Sequence, residues 1–197
     1  MPKTVNRAMA NADDGIAEVL ITEEQIQERV RALGADISRD YKGRELVLVG
    51  ILRGALVFLA DLSRAITIPH TFDMSGASSY GPATSSSGRV QITKDVEVNL
   101  RSKHVLICED IYDSGRTLGA ISSLLQVHHP ASIEMCAFLY KKVQRRACQV
   151  DIKYRGFEIE DRFVVGYGLD YAEHYRHLPY IGVLDPRVYS KEPRTGS

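Results

Sequence analysis

The stretch Val105-Leu106-Ile107-Cys108-Glu109-Asp110-Ile111-Tyr112-Asp113-Ser114-Gly115-Arg116-Thr117 decides how this chain folds. Val105 to Cys108 is an unbroken apolar run. It reads as a strand buried on both faces, because a solvated face would impose alternation. Glu109 and Asp110 follow where that strand is expected to leave the sheet, and Asp113 to Thr117 forms a polar turn centred on Gly115. Leu118, Ile121, Leu124 and Leu125 then recur at helical spacing, so a helix starts at once, with Ser114 or Thr117 available to cap it.

A strand, a tight polar turn and a helix N-terminus make a receptive place for an anion, because free backbone N–H groups converge there with the positive end of the helix dipole. A phosphate suits that turn. The neighbouring carboxylates would repel a bare phosphate, so they need other work, such as gripping a sugar diol or a Mg2+ ion that also carries phosphate oxygens. Phosphate, polyol and metal converge on a phosphorylated sugar. The same residues also allow an acidic strand end beside an ordinary capped turn.

Outward from this stretch the alternation of strand and helix repeats. Thr22-Glu23-Glu24-Gln25 is a capping box, and Ile26, Val30, Leu33 and Ile37 share one helical face, predicting a helix over Glu23–Asp40. Leu46 to Val49 is a second buried strand, ending in Gly50-Ile51-Leu52-Arg53-Gly54. The helix after it packs through Ala55, Leu56, Phe58, Leu59 and Leu62. Leu52-Arg53-Gly54 therefore lies at the carboxyl end of a strand, where open parallel sheets bind ligands. A strand is expected over 68–77. The polar stretch 78–88 reads as a surface loop or as a lid, and a hairpin is expected through Val90, Ile92, Val96, Val98 and Leu100. Further strands are expected at 133–139, 152–155, 163–166 and 180–184. The expected fold is α/β: a mostly parallel twisted sheet flanked by helices, with a small hood drawn from about 16–40 and 156–190 in a single domain spanning 16–190. Residues 1–15 and 191–197 are expected to be a flexible arm and tail.

The totals narrow the class. Lysine plus arginine and aspartate plus glutamate each number 25 in 197 residues, so no global charge draws the chain to nucleic acid or to a membrane surface. No stretch approaches the ~18 apolar residues of a membrane span, and Met1 to Gly15 lacks the apolar core of a secretory signal. Cys108, Cys136 and Cys148 are odd in number and lack CxxC spacing, which reads as reduced cytoplasmic thiols. His174 and His177 could share a helical face as metal ligands, but no acidic or cysteine partner stands at useful spacing.

The run Ile107 to Leu118, with two acidic residues ahead of Asp113-Ser114-Gly115-Arg116-Thr117, closely resembles the signature of the type I phosphoribosyltransferases, which use 5-phosphoribosyl 1-pyrophosphate (PRPP). The resemblance extends over about 46–184. Leu52-Arg53-Gly54 is similar to the pyrophosphate loop of the 6-oxopurine branch, where that family uses a non-proline cis peptide. Ser79-Tyr80-Gly81 is similar to the start of its mobile catalytic loop, and 156–171 to its purine-binding segment. This pattern is that of the hypoxanthine and hypoxanthine-guanine phosphoribosyltransferases.

The resemblance implies a set of roles. Asp113 would be the acid or base. Ser114, Gly115, Arg116 and Thr117 would bind the 5-phosphate, and Glu109 and Asp110 the ribose hydroxyls or Mg2+. Asp170 would be the likeliest protein ligand of Mg2+. Pyrophosphate would meet Leu52, Arg53, Gly54, Arg176, Ser79 and Tyr80. Lys141 would donate to the purine 6-oxo group, with Lys142 its competitor; Phe163 and Ile111 would sandwich the base and Val164 would read its edge. The products would be IMP or GMP and pyrophosphate, from a homodimer or homotetramer. Ser114, Arg116 and Gly168 depart from the residues frequent in the family, and Gly168 leaves pocket shape open. Two rivals remain: a nucleic-acid-binding regulator that keeps the fold, and a phosphoribosyltransferase specialised for xanthine or another base.

Overall fold

The computed structural model describes residues 15–79 and 90–190. In chain order its elements are β1 (Ile16–Ile21), α1 (Glu23–Asp40), β2 (Leu46–Leu52), α2 (Leu56–Ala65), β3 (His70–Ser79), β4 (Val90–Lys94), β5 (His104–Tyr112), α3 (Arg116–Gln126), β6 (Ser132–Lys142), β7 (Tyr154–Glu160), β8 (Val164–Val165), β9 (Ile181–Leu184) and α4 (Pro186–Tyr189). Six strands form one sheet in the order β4-β3-β2-β5-β6-β7, parallel except for the antiparallel edge strand β4.

Alternation along the central strands divides the core into two layers, since successive side chains leave a strand on opposite faces. Leu46 and Leu48 of β2, Leu106 and Cys108 of β5 and Cys136 and Phe138 of β6 meet α1 and α2 through Ile26, Val30, Leu33, Phe58, Leu59 and Leu62. Val47, Val49, Ile51, Val105, Ile107, Met135 and Ala137 face the other way, onto Leu118, Ile121 and Leu125 of α3. Helices on both faces are why Val105 to Cys108 of β5 are apolar without interruption. The Thr22 hydroxyl accepts from the Gln25 N–H at 3.4 Å and the Gln25 side chain accepts from the Thr22 N–H at 2.9 Å, so α1 starts at the capping box.

β2 has β3 on one side and β5 on the other, although β4 and β3 precede β5 in the chain. The connections after β2 and β5 therefore diverge, and the crevice between their carboxyl ends is the position where such sheets take ligands. A second sheet, β1-β9-β8, is antiparallel and joins residues near both ends of the described chain.

Three expectations about local structure are corrected. Glu109 and Asp110 lie within β5, which runs on to Tyr112; Glu109 pairs with Ala137 of β6, while the β2 ladder has already ended at Gly50 opposite Cys108. Residues 96–100 form no strand, because the Asp73 carboxylate draws the Glu97 and Val98 N–H groups into a turn at 2.5 and 3.1 Å. Neither Ser114 nor Thr117 caps α3: the cap is Gly115 at φ +77°, and no side chain bonds the first turn. β1 is an addition, its short and irregular pattern carrying no period in the sequence. The cysteines are free, and burial pushes the Cys136 thiol up to about 12. No helix among the described residues is long and apolar enough to cross a membrane.

Candidate active site

Three backbone segments meet at the crevice, and glycines let them touch. β2 ends in a cis peptide between Leu52 and Arg53. A Cβ on the next residue, Gly54, would lie 1.6 Å from Asp110 Oδ2, so only glycine lets this loop pass over the end of β5. Gly168, at φ +100°, backs the same loop from the opposite side, and a Cβ there would fall 2.1 Å from the Gly54 carbonyl oxygen. The departure at Gly168 is thus a close backbone approach beneath the 52–54 loop. Gly115 is held likewise: a Cβ would sit 1.9 Å from the Cys148 carbonyl oxygen, and the Ser114 carbonyl accepts from Ala147 and Cys148 N–H, both at 3.1 Å.

Glu109 and Asp110 are both buried, and Glu109 Oε2 has no hydrogen-bond partner. Burial pushes the Glu109 carboxyl well above the carboxylate range, and the Asp110 charge beside it pushes further. Asp110 is also raised by burial, against the hydrogen bonds it accepts from Glu109 and from backbone N–H groups. Of the two, Glu109 is pushed further toward its protonated form. At the end of β5, Glu109 and Ile111 line a cavity of about 190 Å³ together with Asp113, Ser114, Gly115 and Thr117 of the following turn. Arg116 is exposed at the helix start.

The register of β5 against β6 carries Asp113 to Lys141. Lys141 Nζ lies 3.7 Å from Asp113 Oδ2 and 2.7 Å from Asp161 Oδ1. Its side chain is only 13% exposed, whereas that of Lys142 is 51% exposed and pairs with Glu160, so Lys141 is the lysine at the site. Arg146 locks this geometry. Its guanidinium lies over the Tyr112 and Tyr140 rings at 4.1 and 4.6 Å, donates to the Lys141 carbonyl at 2.6 Å, and also donates to the Asp113 carbonyl. Neither Arg146 nor Asp161 stands out in the sequence, where only the Arg145-Arg146 pair offers a signal.

On the other side of the crevice Arg176 pairs with Asp170 at 2.8 Å and donates to the Gly168 carbonyl at 2.7 Å. Arg53 is joined to this group through Glu173 at 2.9 Å. Val164 is buried in β8 opposite Val183. Phe163 stacks on Tyr189, with ring centroids 4.9 Å apart, so one of its faces is already covered and a base could use only the other. Ser79 ends β3, and Tyr80 falls outside the described residues, as does the rest of the loop through Gly88. His174 and His177 join no metal cluster among the described residues.

A doubly covered parallel sheet with an acidic strand end, an uncapped helix start and paired arginines at its switch point defines a protein that binds sugar phosphates. The family described as "Phosphoribosyl transferase domain" matches residues 21–172. A hypoxanthine-guanine phosphoribosyltransferase of Mycobacterium avium is 48% identical over 182 residues, covering 89% of each chain. A hypoxanthine phosphoribosyltransferase of Salmonella typhimurium is 48% identical over 84% of this chain and 93% of its own. The crystal structure of a hypoxanthine phosphoribosyltransferase from Staphylococcus aureus superposes with a TM-score of 0.87 at 46% identity, over 93% of this chain and all of that one. The chain belongs to the phosphoribosyltransferase family, among its hypoxanthine and hypoxanthine-guanine phosphoribosyltransferases.

Proposed function

We propose that the protein serves purine salvage in the cytoplasm, transferring the 5-phosphoribosyl group of PRPP to N9 of hypoxanthine or guanine and releasing pyrophosphate with IMP or GMP. The observation that carries this reading is the Asp113–Lys141 pair, 3.7 Å apart beside the turn that opens α3. A 6-oxopurine presents N7 and O6 on one edge. Asp113 accepts the N7 proton as N9 attacks C1 of the ribose, while Lys141 donates to O6; adenine would set an amino group against the ammonium. Phe163 and Ile111 hold the ring, with the Val164 backbone at its edge.

The free N–H groups of 114–117 bind the 5-phosphate, and Arg53, Gly54 and Arg176 the pyrophosphate, with Ser79 and Tyr80 closing over it. The positive sugar of the transition state needs no covalent partner, so positioning and leaving-group stabilisation dominate. Glu109, Asp110 and Asp170 gather into no three-ligand cluster among the described residues, but Mg2+ usually takes only one or two protein carboxylates and completes its shell with phosphate and water, and the unpartnered buried oxygen of Glu109 or the Asp170 carboxylate would suit that role. When bound, Mg2+ would neutralise charge on the pyrophosphate. The small β1-β9-β8 sheet would act as the hood, and the working form would be a homodimer or homotetramer.

The test is nucleotide formation from PRPP and MgCl2 with hypoxanthine, guanine, xanthine and adenine in parallel. IMP or GMP should form, and Asp113→Asn should lower kcat by about 10²–10⁴-fold. Product from adenine alone would overturn the role of Lys141, product from xanthine alone would overturn the choice of hypoxanthine or guanine, and no product from any base would overturn the enzymatic reading.

A further inference from the structure

A two-residue turn near the end of the chain is built against local preference. Tyr171 and His174 exchange both backbone hydrogen bonds, at 3.2 and 3.0 Å, which closes a hairpin with Ala172 and Glu173 at its tip. Both tip residues have positive φ, +51° and +67°. Such turns favour asparagine and glycine, and alanine or glutamate there is strained. The strain has a visible product: the turn aims Glu173 back over the crevice. Its N–H donates to Asp170 Oδ2 at 2.9 Å, and its Oε2 lies 2.9 Å from Arg53 Nη1 and 3.3 Å from Arg176 Nη2.

One carboxylate oxygen thus bridges two guanidinium groups, one of them 120 residues from Glu173 in the chain and the other three. A bridging anionic oxygen between these arginines is what a pyrophosphate group would supply. We infer that Glu173 is an internal counter-ion of the pyrophosphate subsite: it holds Arg53 and Arg176 together while the subsite is empty, and the pyrophosphoryl group must displace it. The inference rests on the assignment of Arg53 and Arg176 to pyrophosphate. Asp170 keeps its own contact with Arg176 at 2.8 Å, so Arg176 stays anchored when Glu173 leaves, whereas Arg53 is released to the ligand. After transfer Glu173 returns to the arginines and favours departure of pyrophosphate, trading affinity for turnover.

Glu173 and Arg53 have side chains 59% and 68% exposed, so solvent screens the competition and its effect is moderate. Glu173→Gln keeps the shape and removes the charge. Calorimetric titration of the full-length protein with magnesium pyrophosphate, and separately with PRPP, should show binding tightened by about 3–10-fold in the variant. The KM for hypoxanthine should not move. Ala172→Gly relieves the same turn without touching the charge. It should raise the melting temperature and leave pyrophosphate affinity at the parent value, separating turn strain from the counter-ion effect. Unchanged or weaker pyrophosphate binding by Glu173→Gln, with the parent binding normally, would overturn the inference alone. A parent protein that binds neither ligand would remove the subsite itself, and the inference with it.

Discussion

Replacing Gly54 with alanine should separate function from folding at this site. A Cβ on residue 54 would stand 1.6 Å from Asp110 Oδ2, where ordinary contact begins at 3.4 Å, so one group must retreat by roughly 1.8 Å. The backbone of 54 cannot move, because its carbonyl is already in contact with Gly168. The Asp110 carboxylate therefore yields. It is buried and accepts from the Ile111 N–H at 2.8 Å, so turning away costs that bond. The stability loss is that of a modest overpacking, about 1–3 kcal/mol. The functional loss should exceed it. A displacement of ~1 Å in a positioning group can cost about 10²-fold in rate, or ~2.7 kcal/mol in the barrier.

Steady-state kinetics with PRPP as the varied substrate should show kcat/KM lower by about 10²-fold. The thermal midpoint should fall by no more than about 12 °C, at ~2–4 °C per kcal/mol for a chain of this size. Parent-like kcat/KM for PRPP in a folded variant would refute the reasoning, since it would mean that Asp110 has no defined position to lose. A variant that melts normally but fails only with purine as the varied substrate would place Asp110 elsewhere in the reaction.

Two further substitutions address the proton and the scaffold. Glu109 titrates above its unfolded value, so the native state holds its proton more tightly than the unfolded chain does; the stability this gives is full below pH ~4.3 and is lost as pH rises through the folded value. Glu109→Gln, melted without ligands, should therefore gain over the parent as pH rises, while PRPP binding weakens; a constant difference across pH would contradict the upward shift of the Glu109 carboxyl. Thr22→Ala removes the α1 cap and should lower stability by about 1 kcal/mol with unchanged kinetics, measured by thermal melts and the same assay; a change in KM would show that α1 reaches the site.

The sheet was legible where burial on both faces wrote an uninterrupted apolar run, as in Val105 to Cys108, and where a local device marks an end, as Thr22 and Gln25 do for α1. The start of α3 misled because Ser114 and Thr117 are good caps in isolation. What sets that turn instead is the Cys148 carbonyl against Gly115 and the linker N–H groups on the Ser114 carbonyl, contacts more than thirty residues away in sequence. Asp161 on Lys141 and Glu173 on Arg53 escaped for the same reason. Each pairing depends on strand order and register, which a periodicity argument does not contain.

The glycines explain why a site so polar is compatible with a stable fold. Gly54, Gly115 and Gly168 each sit where main chain or a buried carboxylate from another segment comes within 1.6 to 2.1 Å of a position that a Cβ would fill. Such approaches let one segment's carbonyls and N–H groups satisfy another's, so part of the crevice is lined by backbone held in register. The strain and desolvation are concentrated instead on a few groups: the buried neighbouring carboxyls of Glu109 and Asp110, and the positive φ angles at Ala172 and Glu173. Those groups face the ligand, and each has something to gain from it. A buried carboxylate with an unpartnered oxygen gains a ribose hydroxyl or a cation, and Arg53 and Arg176 exchange a carboxylate for a more highly charged pyrophosphate. Glu109→Gln should therefore stabilise the empty protein and weaken PRPP, whereas Glu173→Gln, which removes the counter-ion of Arg53 and Arg176 without relieving the turn, should tighten PRPP with no gain in the stability of the empty protein.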